Sequence, residues 1–515
     1  MYWPLVLLSI ALAVYLTLRP TTKHDLPDGP GALAEKDNRR RLHISLAPWA
    51  KTYGDLFSYN MGRSTAIVLS SVQAIEELLV KRGHIYSSRP TSTSQADIIT
   101  GKGRIVTMPY GEEFRKHRKI IHTLLGIQNA KTFLPYQEYE SRQTLRHLLD
   151  NPDLFYSEMS RYSATILQDD QYNDAEVLQQ YRPIQILTTS DIAPGSWLVD
   201  RYPFLNYLPG PLAPWRSQAY SIHLELRSFW GVFLHSIEDR VKEGTAPDCF
   251  LSRFVQNPET EHFSEMERIS VTAELLSAGT ETTATSLQWF FKACVKHPEW
   301  IREAQKELDT VVGRERLPNF SDRGSLPYIT AVISELHRWA SAAPLAFYHA
   351  TSQTDTYRGS TIPKSTMVIA NTYAVHHSEQ YFPNPSAFLP GRWLPPDDPR
   401  HVVNGAQTPN HLGFGVGRRE CPGKHVAEAS LFISISRILW AFDIDRGDNP
   451  EPSDETVGAF PVFGPASFKC RITPRPEDAA NKIRLFADHI DPGLRVEDGS
   501  IYDASVKAVL AKARA

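Results

Sequence analysis

Phe414-Gly415-Val416-Gly417-Arg418-Arg419-Glu420-Cys421-Pro422-Gly423 places one cysteine between glycines and beside arginine, immediately before an apolar helical pattern over 426–442. Gly413, Gly415 and Gly417 permit positive φ and close approach of the main chain to a flat ligand, and Gly423 lets the next helix start tightly. Arg419 carries a permanent charge suited to a carboxylate, and the following helix N-terminus helps to keep the sulfur anionic. A thiolate presented in this way is a ligand for iron. Phosphate-binding readings fail at named positions. A dinucleotide fingerprint from Gly415 needs glycine where Glu420 stands, and a phosphate loop ending in Gly423-Lys424 needs glycine at Arg418 and a hydroxyl at His425. An inert, buried thiol is the commoner state of a lone cysteine, and the number of specified residues in so short a loop weighs against it here.

Other stretches carry chemistry-bearing residues. Ala278-Gly279-Thr280-Glu281-Thr282-Thr283 lies mid-helix, where glycine and β-branched residues are poor choices; a local rule broken inside an element points to function. Packing of small residues is the competing explanation for that hexapeptide alone. Glu335 and Arg338 share a helix face at i, i+3, and Arg392 follows in Phe388-Leu389-Pro390-Gly391-Arg392-Trp393. The same spacing in Glu265–Arg268 and Glu112–Arg115 reads as surface pairing. Phe114 and Arg118 share another face at i, i+4, beside Arg115, Lys116 and Lys119, a basic group that could steer an acidic electron donor or be merely solvated.

Together these residues resemble the cytochrome P450 family, most closely its fungal secondary-metabolism members of the O-methylsterigmatocystin oxidoreductase type. The resemblance covers roughly residues 50–475, with the motifs in family order. It implies haem b held through Cys421, with Arg419, Arg118, His349 and Phe414 as further cofactor-binding residues. It implies that Gly279 leaves room for dioxygen, that Thr282 orients water and that Glu281 relays protons. Glu335, Arg338 and Arg392 become a buried structural cluster; Leu345, Ala346, Phe347, Val462 and Phe463 become substrate contacts. Departures from the family pattern are Phe114 for tryptophan, which can stack but lacks the indole N–H, and Gly391 for glutamate. Ser341 and Tyr348 stand where fungal relatives often carry proline. The implied activity is insertion of one oxygen atom from O2 into an apolar small molecule. Electrons would come from NADPH through a separate cytochrome P450 reductase, with cytochrome b5 as an optional second donor. A reductase-independent haem-thiolate isomerase or peroxygenase, and a noncatalytic haem carrier, are the rivals; the Glu281–Thr282 pair argues against both.

The elements that must position these groups are mostly helical. Ser264 and Glu267 form a capping-box pattern, and Lys296, His297 and Pro298 supply cations and a breaker, so the spacing predicts a helix of about 32 residues, roughly 48 Å long. Residues 56–69 read as strands, 72–82 as helix, and 460–475 resembles a terminal hairpin of the family. The expected fold class is mainly α with a smaller β-rich lobe, a cytochrome P450 fold preceded by one N-terminal transmembrane helix. Residues 2–18 are that apolar run, roughly 25 Å as a helix, and the basic residues Arg19, Lys23 and Arg39 to Arg41 favour a cytosolic body on an endoplasmic reticulum membrane. The expected divisions are the anchor at 2–18, a linker at 19–45, the haem domain at 46–475 and a tail of unassigned role at 476–515. A net charge of -3 gives no reason to expect nucleic acid binding, and four widely spaced cysteines without paired spacing suggest neither a disulfide framework nor a zinc site.

Overall fold

The computed structural model describes residues 26–32, 42–61, 64–90, 98–101, 103–168, 197, 199, 205, 207–246, 249–405, 408–475 and 478–489. Its helices, in chain order, are α1 (Leu42–Tyr53), α2 (Glu112–Leu125), α3 (Leu134–Asp150), α4 (Phe155–Gln168), α5 (Pro214–Glu243), α6 (Glu265–Lys296), α7 (Ile301–Val311), α8 (Pro327–Trp339), α9 (Lys424–Ala441) and α10 (Ala479–Ala487), with shorter turns between them. The strands are β1 (Gly31–Ala32), β2 (Leu56–Met61), β3 (Ser64–Leu69), β4 (His349–Ala350), β5 (Asp355–Tyr357), β6 (Ser360–Ile362), β7 (Met367–Ala370), β8 (Phe442–Asp445), β9 (Thr456–Ala459), β10 (Val462–Pro465) and β11 (Arg471–Pro474).

Helix α6 starts where its cap dictates. The Ser264 hydroxyl accepts from the Glu267 amide at 3.3 Å, and the Glu267 carboxylate accepts from the Ser264 amide at 2.8 Å. Such a cap stabilises a helix by about 1 kcal/mol. From Thr283 to Val295 every side chain of α6 is buried, against α4, α5, α8, α9 and β10. Aromatic contacts knit this centre: Phe155 meets Phe291 at 4.8 Å and Trp300 meets Phe388 at 5.2 Å. Each fully buried aromatic of this kind contributes about 1.5–3 kcal/mol through apolar burial.

The β-rich lobe is a sheet of order β1-β2-β3-β7-β4, in which β1–β2 and β3–β7 are parallel and β2–β3 and β7–β4 antiparallel. Val68, Ile67 and Leu69 of β3 are completely buried, as a strand covered on both faces requires.

Several boundaries differ from the sequence expectation. The helix expected over 72–82 is α-helical only through Ile75 and continues as a π-helix, Glu76–Lys81. Helix α9 ends at Ala441, because Phe442 turns into β8. The expected hairpin over 460–475 is corrected too: β10 pairs back with β9, whereas β11 pairs with β8. Part of the expected linker belongs to the body, since β1 joins the sheet and the Ser58 hydroxyl donates to the Pro27 carbonyl at 2.7 Å. Part of the tail does as well. Helix α10 buries Ala479, Ile483 and Ala487, and the Gln143 side chain of α3 donates to the Ala487 carbonyl at 2.7 Å. Among the described residues no helix is long and apolar enough to cross a membrane; the run at 2–18 lies outside them, as do 33–41, most of 167–204 and 490–515.

Candidate functional site

The cysteine loop is fixed before any ligand is considered. Gly417 adopts φ 64°, and a Cβ there would stand 2.5 Å from the Leu79 carbonyl oxygen, so this turn requires glycine. Gly413 lets the loop lie on α8, where an added Cβ would meet His337 at 3.1 Å. The Cys421 amide donates to the Phe414 carbonyl at 2.9 Å, and the Phe414 ring sits 4.7 Å from the His337 ring. Arg118 of α2 donates to the Glu420 carbonyl at 2.5 Å, tying the residue before the cysteine to a neighbouring helix. Lys424 holds the Glu420 carboxylate at 2.7 Å.

Cys421 lies deep among protein atoms, yet its side chain is only half-buried, as a group lining an internal hollow would be. Burial pushes its thiol up, while the Gly423 amide, Arg118 and Lys424 pull the other way. The expectation that the loop and helix terminus hold the sulfur anionic is therefore met only in direction. Burial outweighs them, and direct coordination to a cation is what deprotonates a buried thiol outright.

Helix α6 shows the complementary feature. In the middle of an otherwise buried element, Ala278 is exposed and Gly279, Glu281 and Thr282 are half-buried. Accessible surface at such a depth marks the same kind of hollow. The Thr282 hydroxyl donates to the Ala278 carbonyl one turn earlier, at 2.7 Å, leaving its lone pairs as acceptors. Thr280 has a buried hydroxyl without a partner.

Cations with little access to water gather beside the cysteine loop, Arg89 buried and Arg104 and Arg419 half-buried. Arg419 donates to the carbonyls of Ser87, Ile105 and Met108 at 2.8, 3.0 and 2.6 Å, with its guanidinium 3.6 Å above the Phe114 ring. Arg89 donates to Val106, Phe347 and Tyr348 carbonyls at 2.7, 3.1 and 2.8 Å. Burial, then the charges of Arg89 and Arg118, push Arg419 down to about 8; burial pushes Arg89 down to about 10. Arg104 has Nε and one terminal nitrogen buried without partners. Glu274 of α6 is the acid that faces this group. Its Oε1 accepts from the Val106 amide at 2.7 Å, its Oε2 is unpartnered, and burial raises its carboxyl to about 7 against the pull of Arg104. His349 bonds the Tyr86 carbonyl through Nδ1 at 2.8 Å and is held neutral, its value lowered to about 3 by burial, Arg89 and Arg419.

These residues fit the haem expected from the sequence. Orphaned Arg104 nitrogens, and guanidiniums shifted down by burial with, for Arg419, the added repulsion of Arg89 and Arg118, are what a ligand bearing carboxylates would satisfy, and the thiol is what its iron would bind. Arg89, Arg104 and Glu274 were not found by sequence reasoning. Glu274 left a signal, since Glu267, Glu274 and Glu281 recur every seven residues along one stripe of α6.

The residues expected to touch substrate divide into two groups. Leu345 is packed into the core under the sheet with Leu42, Leu46 and Phe57, and Phe463 packs on His43 at 5.1 Å, so both are largely occupied by the fold. Ala346, Phe347 and Val462 keep accessible surface. Ala346 has φ 49°, a conformation that costs a non-glycine residue free energy and persists where the surroundings enforce it.

The charge cluster is complete and dry. Glu335 receives Arg338 at 2.8 Å through both carboxylate oxygens, the Leu389 amide at 2.8 Å and the Trp393 indole at 2.9 Å, with Arg392 Nε at 3.4 Å. The two surface look-alikes pair elsewhere: Arg268 with Glu238, and Glu112 with Lys116. Gly391 explains its own departure from the family pattern. A Cβ there would lie 2.2 Å from the Arg400 carbonyl oxygen and 2.9 Å from Val402. Restoring glutamate by Gly391→Glu is therefore expected to destabilise, by about 1–3 kcal/mol or more as overpacking does. Urea unfolding midpoints check this, and an unchanged midpoint would contradict it.

Comparisons with known proteins bear on the family and the fold. The family described as Cytochrome P450 matches residues 31–463. Cytochrome P450 monooxygenase fogE of Aspergillus ruber is 34% identical over 499 residues, covering 93% of this chain and 93% of that protein. Cytochrome P450 monooxygenase polD of Polytolypa hystricis is 36% identical over 491 residues, covering 91% of this chain and 94% of that protein. A solved zebra fish cytochrome P450 structure with abiraterone is similar at a TM-score of 0.66 and 23% identity, covering 84% of this chain and 100% of that one, a likeness of fold.

Proposed function

The chain belongs to the cytochrome P450 family, and from that premise we propose that it is a haem-thiolate monooxygenase inserting one oxygen atom from O2 into an apolar small molecule, of the kind made in fungal secondary metabolism, such as a polyketide or terpenoid. The observation that carries this reading is the half-accessible Cys421 beside buried Arg89 and half-buried Arg104, Arg118 and Arg419.

Haem bound through Cys421 supplies the activation of dioxygen. This chain's own residues do the rest. Arg419, Arg104 and Arg118 would hold the carboxylates; His349 joins them only by taking a second proton, because its Nδ1–H is already given to Tyr86. Gly279 and Ala278 leave room along α6. Thr282 accepts a hydrogen bond from water at its Oγ1 and Glu281 passes protons toward the hollow, so that protons arrive where oxygen is reduced. Ala346, Phe347 and Val462 present apolar surface that orients the substrate and decides which carbon is reached.

Electrons would come from NADPH through a separate reductase, with cytochrome b5 as an optional second donor, as membership of the family supports. The apolar run at 2–18 supports an endoplasmic reticulum anchor with the catalytic body in the cytosol. Reconstitution with NADPH, reductase and a panel of apolar candidates tests the reading: oxygen uptake and product that require reductase support it, whereas turnover without reductase favours the isomerase or peroxygenase alternative.

Thr282→Val removes the hydroxyl while keeping the shape. Product formed per NADPH consumed is expected to fall by at least about tenfold, below the roughly 10²–10⁴-fold of a sole proton donor because Glu281 remains. Thr282→Ser is expected to restore most of it. Equal coupling in Thr282→Val and the native protein would remove Thr282 from the proton path.

A further inference from the structure

Away from the hollow, the outer ends of α2 and α6 meet at His117. It lies one turn after Glu113, and its Nδ1 stands 2.9 Å from the Glu113 main-chain carbonyl. A carbonyl only accepts, so Nδ1 carries the hydrogen and Nε2 is left as a bare lone pair. That Nε2 is buried without a hydrogen-bond partner, on a side chain only 1% exposed. It faces Oε1 of Glu267 at 3.8 Å, another acceptor. Two acceptors facing each other across that gap call for a cation between them. Glu267 is aimed there by its cap, since its other oxygen takes the Ser264 amide at 2.8 Å and hydroxyl at 2.7 Å. The Glu113 carboxylate completes the group: one ligand atom from each of Glu113, His117 and Glu267 lies within 4.8 Å of the others.

We propose that Glu113, His117 and Glu267 bind one divalent cation of the zinc class, which ties α2 to the first turn of α6. One imidazole nitrogen and two carboxylate oxygens form a borderline donor set that suits zinc better than magnesium, which prefers oxygens alone. Bonds of about 2.0–2.2 Å place tetrahedral ligand atoms roughly 3.3–3.5 Å apart, so the group must contract by about 1 Å. Glu113 is free to supply that movement, because it is exposed and its pairing with Lys116 at 3.1 Å is a weak surface contact. Water fills the fourth position. The Nδ1 bond to a main-chain carbonyl is the usual support of a metal-bound histidine, and Phe263, stacked on the ring at 4.4 Å, keeps it in place. The positive end of α6 opposes a cation here, and the carboxylates of Glu265 and Glu267 in that turn offset it. The tie would restrain the helix that carries Phe114 and Arg118.

The test uses the full-length, haem-loaded protein, stripped with chelator and titrated with zinc at neutral pH against a chromophoric competitor. One equivalent is expected to bind saturably and to raise the thermal midpoint. Glu113→Gln and Glu267→Gln are each expected to weaken uptake by about tenfold or more; glutamine at 267 still serves the capping box, so the fold and the haem spectrum should persist. His117→Gln should abolish uptake, and because it is buried the two surface variants decide the matter if it fails to fold. Absence of saturable uptake would mean that a proton alone bridges His117 and Glu267. Uptake unchanged in the Glu113→Gln, Glu267→Gln double variant would place the zinc elsewhere. Either result overturns the proposal.

Discussion

Replacing Cys421 with alanine is expected to abolish the red-shifted Soret band of the reduced, carbon-monoxide-bound protein and to reduce NADPH-dependent product formation to background. The band reports a thiolate on the iron, and no other cysteine of this chain can supply one. Cys249, Cys294 and Cys470 all belong to the packed core. Burial pushes the Cys294 thiol well up and the Cys470 thiol to about 12. The substitution itself is mild for the fold, because it removes a single half-buried sulfur atom from a loop whose shape is set by main-chain bonds, the Cys421 amide to Phe414 and Arg118 to Glu420. Loss of the band in a variant with native circular dichroism would thus report ligation rather than unfolding. Retention of band and turnover would show that another residue ligates the iron.

The parts of the site that the sequence disclosed are those written in consecutive residues. The cysteine loop, the hexapeptide of α6 and the Glu335–Arg338 turn each occupy one local stretch, and the spacing along a helix already places their side chains on a common face. The caps of α6 were legible for the same reason, and its bounds follow Ser264 and Lys296 as expected. What escaped is non-local. Arg89, Arg104 and Glu274 come from three separate segments and become a set only when α6 packs across the loop before α2. Leu345 escaped differently. It neighbours accessible Ala346 and Phe347, yet the left-handed turn at Ala346 sends successive side chains in directions that strand alternation does not anticipate, and Leu345 joins the core beneath the sheet. Gly391 shows the opposite case, in which a departure from the family pattern was visible but its cause, the close passage of Arg400 and Val402, was not.

Arg338→Ala should be the most damaging single substitution to stability. Arg338 and Glu335 side chains are fully excluded from water, and breaking such a pair leaves an uncompensated buried charge that costs about 3–5 kcal/mol. Here the loss spreads further. Arg338 also donates to the carbonyls of His376, Pro385 and Ala387 at 2.9, 2.8 and 3.0 Å, and these would be stranded without partners. Arg392, which donates to Pro383 and Asn384 at 2.6 and 2.8 Å, cannot move over without abandoning them. A domain's whole stability is only about 5–15 kcal/mol, so Arg338→Ala is expected to be recovered unfolded or without haem. Arg338→Lys is expected to fare little better, because one ammonium cannot reproduce a planar fork that serves Glu335 and three carbonyls at once. The control is Arg323→Ala, whose partner Glu428 lies 3.5 Å away on an exposed surface and whose loss should shift the urea midpoint by less than about 0.5 kcal/mol in stability. The reach of the damage follows from α8 itself. One face carries Glu335 and Arg338, and next to them His337 forms the floor on which Gly413 and Phe414 of the cysteine loop rest. If Arg338→Lys kept both native stability and the thiolate band, the cluster would be an ordinary ion pair, and the support of the Cys421 loop would have to come from α2 and Arg118 alone.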